Sequence, residues 1–299
     1  MGLLDTPVSG MDAYNQWMQV IGNNIANVNT VGYKSSDVNF ETMLSQTMSQ
    51  GASAGGGTNP EQVGLGVAVG QIAPNFSEGS LVQTGSPSDM AINGNGFFVV
   101  NTKPDGTGTF YYERAGNFAP DSNGYLVDPN GNYLMGVDTS TSTSGTGSGT
   151  GTGSANTTPT WSAINIESLA ANSGTGTTGT TPTFSGQPST YTIGQNGTIT
   201  VQNGKTYNIM LADFPNPSGL DAVGNNLYQA PTGGNEGTVT YNQGGQSNLG
   251  TIQQGMLEQS NVDLTKEMSN MIQAQTDYNA NSKVINTANG MLQFMLQQV

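Results

Sequence analysis

The chain has no cysteine and no histidine among its 299 residues. Thiolate catalysis, serine-type triads, disulfide staples and ordinary zinc sites therefore lose the side chains they need. The missing cysteine leaves the compartment open, because exported bacterial proteins also do without it. Basic residues are few as well: Lys34, Lys103, Arg114, Lys205, Lys266 and Lys283 face 20 acidic ones, for a formal charge of -14. A surface this short of positive charge makes nucleic acid and anionic membrane poor partners. No apolar run approaches the roughly 20 residues of a membrane span, so no span is expected. The start, Met1-Gly2-Leu3-Leu4-Asp5, has neither a basic region nor an unbroken apolar core, and no Sec-type signal peptide is expected.

Carboxylate pairs are the catalytic chemistry that composition leaves available. The acidic residues, however, sit mainly in turns such as Asp105-Gly106 and Asp121-Ser122-Asn123-Gly124, where they shape the turn. The frame that starts at Asp121 and includes Asp128 is faintly like a calcium loop, but its twelfth position is Asn132 instead of a bidentate Glu, and its Gly comes too early. Gly145 to Gly153 has no following Lys and reads as a linker, not a phosphate loop. No catalytic, cofactor-binding or metal residue is assigned, and the chain is expected not to be an enzyme. Seven of the 13 Met residues lie in the two ends, where adaptable packing accounts for them better than metal binding.

Those two ends are what the chain does have. From Leu264 to Val299 runs a Pro-free, Gly-poor stretch in which Leu264, Met268, Met271, Tyr278, Ile285, Leu292, Leu296 and Val299 fall on one stripe spaced by fours and threes. That period keeps one seam of a long helix facing a partner. At about 1.5 Å per residue the helix is roughly 50 Å long, more than a compact core needs. Gln275, Ser282 and Asn289 interrupt the same stripe, and polar seam residues favour one register and one set of partners. At the other end, Thr6-Pro7 suit a helix start, and Val8, Met11, Met18 and Ile25 recur at helical spacing, with Tyr14, Trp17 and Ile21 widening the face. The run stops in Asn27-Val28-Asn29-Thr30-Val31-Gly32, whose Asn and Gly tolerate a helix-ending left-handed turn. Two core helices of one globular domain are one reading. The other is a polymerisation face made of Met11, Met18, Ile21, Ile25, Leu264, Met268, Met271, Tyr278, Ile285, Leu292 and Leu296, since the helices have mainly each other and further copies to pack on.

Between the ends the punctuation is Asn-Gly: Asn93-Gly94, Asn95-Gly96, Asn123-Gly124, Asn130-Gly131, Asn196-Gly197 and Asn203-Gly204 suit tight turns. They flank β-prone runs such as Phe97-Phe98-Val99-Val100 and Tyr207-Asn208-Ile209-Met210-Leu211, so the middle is expected to be antiparallel β. Low-complexity tracts from Thr139 to Thr160 and from Asn172 to Pro188, and a shorter one from Gly51 to Asn59, have little apolar area to offset ordering and are expected to be flexible. The fold class is α+β in a discontinuous chain. Residues 1–34 and 261–299 form a terminal helical domain, 35–74 and 244–260 connect, and 75–243 form a β-rich domain with insertions at 139–160 and 172–188.

Three blocks resemble the bacterial flagellar rod and hook proteins. The first is Ile21 to Lys34, carrying Asn23, Asn24, Asn27, Asn29, Thr30, Gly32 and Tyr33. The second runs from Val63-Gly64-Leu65-Gly66-Val67 through Asp89-Met90-Ala91-Ile92 to Asn95, Gly96, Phe97 and Phe98. The third runs from Leu211-Ala212-Asp213-Phe214 to Leu264 and includes Ser260, Asn261 and Val262. Only residues 137–192 lie outside the likeness. The resemblance implies that the terminal helices form a coiled-coil inner layer around an export channel and the β domains an outer layer of a helical tube. It implies export by the flagellar type III apparatus to an extracellular site, which fits the absent signal peptide. It also implies assembly with copies of itself and contact with rod, hook-cap and hook–filament junction proteins. Val63 to Val67 and Val262 to Thr265 are nearer to hook subunits, which bend while transmitting torque. The segment from Ser45 to Gln62 resembles, in length and place, an insertion found in the distal rod and also in some hooks, and in the short stretch 137–192 the hook's large outer domain is missing or reduced. Hook is the favoured expectation, distal rod its alternative, and a β-rich extracellular adhesin the remote one.

Overall fold

The computed structural model describes residues 5–49, 61–139, 161–166, 191–201, 205–231 and 233–297. The low-complexity tracts, Thr139 excepted, and the seam residue Val299 lie outside them. The fold is α+β, with terminal helices flanking an antiparallel β-rich middle. It divides into two units: residues 1–29, 34–77 and 261–299, and residues 30–33 and 78–260.

In the first unit, helix α1 spans Asp5–Ala26 and helix α2 spans Leu264–Gln297. Asp263 starts α2 by accepting the Thr265 and Lys266 amides on Oδ1 at 2.9 and 3.2 Å, which satisfies donors that a helix N-terminus leaves orphaned. At the end of α1, Asn27 folds back and donates from Nδ2 to the Asn23 carbonyl at 2.9 Å, closing the last turn. The segment 35–74, expected to be a connector, is structured. Its strand Ser36–Thr42 pairs antiparallel with Val67–Pro74, and Ser45–Ser49 pairs with Glu61–Gly64. A bulge at Asn39/Phe40, with Gly70 as the extra residue opposite, interrupts the first ribbon. There Phe40 meets Trp17 edge-on at 5.7 Å and Tyr14 at 5.9 Å. The aromatic residues that widen the face of α1 therefore pack on this ribbon. The helices do not depend on each other and on further copies alone.

The second unit is built on a 12-stranded antiparallel sheet whose middle strands are Phe97–Asn101, Tyr133–Asp138 and Thr206–Asp213. All five residues of Phe97–Asn101 are buried, while Thr206–Asp213 alternates between buried and half-buried positions, as expected of a central strand beside one with a wetter face. Met90, Phe98, Leu134, Ile164, Ile209 and Ile252 lie in its core. The glycines of the Asn-Gly turns at 94, 96, 124, 131 and 197 all take positive φ. Residues 244–260, expected to connect, contribute strands instead: Thr251–Gln254 pairs with Met90–Asn93, and Met256–Glu258 pairs with Leu81–Gln83. The sequence hid them because both are short and the first is half Gln.

Candidate assembly site

Helices α1 and α2 pack antiparallel within their unit. A Cβ on Gly10 would fall 2.6 Å from Asn281 Nδ2, and Asn24 Nδ2 donates to Glu267 Oε1 at 3.4 Å. Gly10 to Asn24 and Asn281 to Glu267 are each two heptads, so both contacts lie on one seam in one register. On α1 the seam buries Pro7, Gly10, Ala13, Ile21 and Asn24. On α2 it consists of Glu267, Met271, Ala274, Tyr278, Asn281, Ile285 and Ala288, of which Glu267, Ala274 and Ala288 are fully buried.

The expected polymerisation face therefore divides. Ile21 is buried in the pair, and Met11, Met18, Ile25, Met271, Tyr278 and Ile285 are half-buried. Leu264, Met268 and Leu292 are exposed, and Leu296 is 78% exposed. The expected stripe found one half of the α2 seam. The other half, Glu267, Ala274, Asn281 and Ala288, lies one residue before Met268, Gln275, Ser282 and Asn289. Small and polar residues give no apolar signal, but their regular four-three offset from Met271, Tyr278 and Ile285 was there to be read. Gln275 and Asn289, expected as polar seam breaks, face outward.

α2 also carries apolar residues on other sides: Ile272, Val284, Met291, Phe294 and Met295 are each more than half exposed. Every residue from Asn289 to Gln297 is exposed. A run of five large apolar side chains within six positions, Met291 to Leu296, exceeds the scattered exposure normal for a soluble surface.

Where the helix ends meet the ribbon, two carboxamides hold consecutive residues. Asn24 accepts the Ser36 amide and donates to the Ser36 carbonyl, both at 3.0 Å, acting as a strand partner would. Asn261 accepts the Ser35 amide at 2.8 Å and donates to the carbonyls of Asn75 and Ser77 at 2.8 and 3.1 Å. Lys34, buried, donates from Nζ to the Ser77 carbonyl at 2.8 Å. The part-buried bonds of Asn24, Lys34 and Ser35 contribute about 1 kcal/mol each, and the exposed bonds from Asn261 less. Burial pushes the Glu267 carboxyl above its ordinary value, while hydrogen bonds from Asn24 and Asn270 pull it back.

The other signature residues have local structural roles. Asn23 receives Asn27, Asn29 is exposed, and Val262 is half-buried. In the β unit, the Thr30 carbonyl accepts the Tyr33 amide at 3.3 Å, and Gly32, at φ 68°, donates to the Glu258 carbonyl at 2.8 Å. A Cβ on Gly32 would lie 2.6 Å from Ala115 Cα, so no other residue fits there. Asn95 accepts the Gly250 amide, and Gly96 abuts Leu249. Phe97 meets Phe214 and Tyr228 edge-on, with the Arg114 guanidinium 5.4 Å from its ring centre. Ser260 closes the unit. Among the described residues, no helix is long and apolar enough to cross a membrane. None of their acidic side chains gather in a group of three that could hold a metal ion.

Three family models match the chain in order: "Flagella basal body rod protein" over residues 4–34, "Flagellar hook protein FlgE/F/G D1 domain" over 91–201, and "Flagellar basal body rod FlgEFG protein C-terminal" over 253–298. The flagellar basal-body rod protein FlgG of Bacillus subtilis (strain 168) is 38% identical over 295 residues, covering 96% of this chain and 94% of that protein. FlgG of Borreliella burgdorferi is 31% identical over 302 residues, covering 98% and 96%. The flagellar hook protein FlgE of the same organism is 45% identical over 141 residues, covering 46% of this chain and 31% of that protein. Paired terminal helices, an outward apolar surface on α2 and this end-to-end likeness lead to one conclusion: the chain belongs to the flagellar rod and hook family of structural proteins.

Proposed function

We propose that the chain is a rod subunit of the flagellar basal body that polymerises with copies of itself, and not a hook subunit. The observation that carries this is collinearity. Relatives named as rod proteins match from end to end, whereas the hook relative shares under half of this chain and a third of its own length. Val262 to Thr265, which are nearer to hook subunits in sequence, lie in the C-terminal match that rod and hook proteins share and so do not separate the two.

In this reading the exposed apolar residues of α2, Met291 to Leu296 above all, dock against neighbouring subunits, and burying them supplies the association energy. Adjoining flagellar axial proteins and the type III export apparatus are the other partners, and the role is mechanical, with no catalysis. Deleting the gene and imaging purified basal bodies tests it. Rods that stop short and carry no hook support a rod subunit; complete rods that lack only the hook would return the hook reading.

A further inference from the structure

The apolar part of the α1–α2 seam does not by itself define which residues face each other. Met271, Tyr278 and Ile285 recur every seven residues, so sliding α2 by one heptad replaces each with another apolar side chain. The remaining seam positions break this degeneracy. Asn281 and Glu267 stand opposite Gly10 and Asn24, and the same register sets Trp17 opposite Ala274, which is completely buried. Large side chains thus face small ones, and the buried carboxylate of the α2 seam, Glu267, faces a carboxamide.

A slide of seven residues in one direction sets Asn24 opposite Ala274 and Trp17 opposite Asn281. In the other direction Glu267 faces Trp17. Either leaves a polar group, buried in the native pair, without its donor or acceptor, a cost of about 1–3 kcal/mol per group. Asn24 is moreover fixed before the helices meet, because both ends of its carboxamide are engaged by Ser36 in the same unit.

We infer that Asn24–Glu267 and Gly10–Asn281 form a register key, selecting one antiparallel alignment of the chain's own terminal helices over heptad-shifted or exchanged pairings with other copies. The key matters most where subunits assemble, since many α1 and α2 helices are then close together and an apolar seam alone accepts any of them. It holds whether the tube is rod or hook.

The cysteine-free chain allows a direct test on the purified subunit. Ala13→Cys with Tyr278→Cys reports the native register, and Ala13→Cys with Ile285→Cys reports a shift of one heptad. With the key intact, oxidation should link 13 to 278 within the chain and leave 13 and 285 open. Replacing Asn24 and Glu267 together by Leu keeps the helices paired through a more apolar seam. The 13–285 link, or covalent dimers, should then rise about tenfold. Glu267→Gln should retain the native pattern. Independently, Gly10→Ala should weaken the native link and Asn281→Ala should restore it. The inference is overturned if the Leu variant still links only 13 to 278, because apolar packing then sets the register. It is equally overturned if neither link nor dimer forms, because the residues then hold the pair together without choosing its alignment.

Discussion

Among single residues, Glu113 stands apart. It ends the strand Phe110–Glu113, buried between Phe98 and Leu227 on the neighbouring strands, and its Oε1 has no hydrogen-bond partner. Burial, with a smaller contribution from the Asp128 carboxylate, pushes its carboxyl up from 4.5 to about 8. Folding therefore takes up a proton wherever the unfolded chain has released one. The stability this group contributes is complete below 4.5 and is lost as pH rises towards 8. The slope over that window is about 1 kcal/mol per pH unit per proton. Glu113→Gln, neutral at every pH, should flatten the dependence of urea midpoint on pH between 5 and 8 (roughly the window set by the two protonation states). An unchanged slope would place the proton on another group. Arg114, next in sequence, is equally buried but lies 3.4 Å from Glu258, so adjacent charged residues reach opposite solutions. Neither was legible in the sequence, because burial of a charge is set by strands far apart in the chain.

For the elements, the main contrast lies along α2. Its first three quarters share a seam with α1, whereas Asn289 to Gln297 are exposed throughout. In the free subunit, amides from residues 267–288 should exchange slowly and those from 289–297 quickly; assembly should slow only the second group. Met291→Asp with Met295→Asp places two charges in the contact that assembly buries, at several kcal/mol if buried, and should block tube formation while leaving the fold of the free subunit intact. Normal tubes from this variant would mean the outward surface is not the polymer contact. How much of this was readable varies by element. Helix ends, Asn-Gly turns and long alternating strands were clear, because each has a local physical signature. The half of the seam formed by Glu267, Ala274, Asn281 and Ala288 was not, since what buries these residues is Gly10, Asn24 and their neighbours at the other end of the chain. In sequence Asn24 suits close helix packing and helix termination alike; in the structure Asn27 closes the helix, while Asn24 meets Glu267 and bridges to Ser36.

For the molecule as a whole, the chain passes between its two units four times, at residues 29/30, 33/34, 77/78 and 260/261. The contact of Asn24 with Glu267 joins residues 243 apart, which makes the helical unit a structure of very high contact order. Loop closure over such a span is slow unless something shortens it first. The β unit does so: Leu81–Gln83 pairs with Met256–Glu258 and the Gly32 amide donates to the Glu258 carbonyl, so α1 ends six residues before Gly32 and α2 begins six residues after Glu258. We therefore predict an order of folding, β unit first and helix pair second. The two tryptophans report on it separately, Trp161 against Tyr241 in the β unit and Trp17 against Phe40 in the helical one. In refolding experiments, Trp17→Phe should leave a fast fluorescence phase and Trp161→Phe a slower one; coincident phases would show a single nucleus. A chain threaded N-terminus first from a narrow conduit meets the same constraint as a matter of timing. In such a chain the leading helix would have no partner helix until nearly the last residue is out, so the pair would close only once delivery is complete.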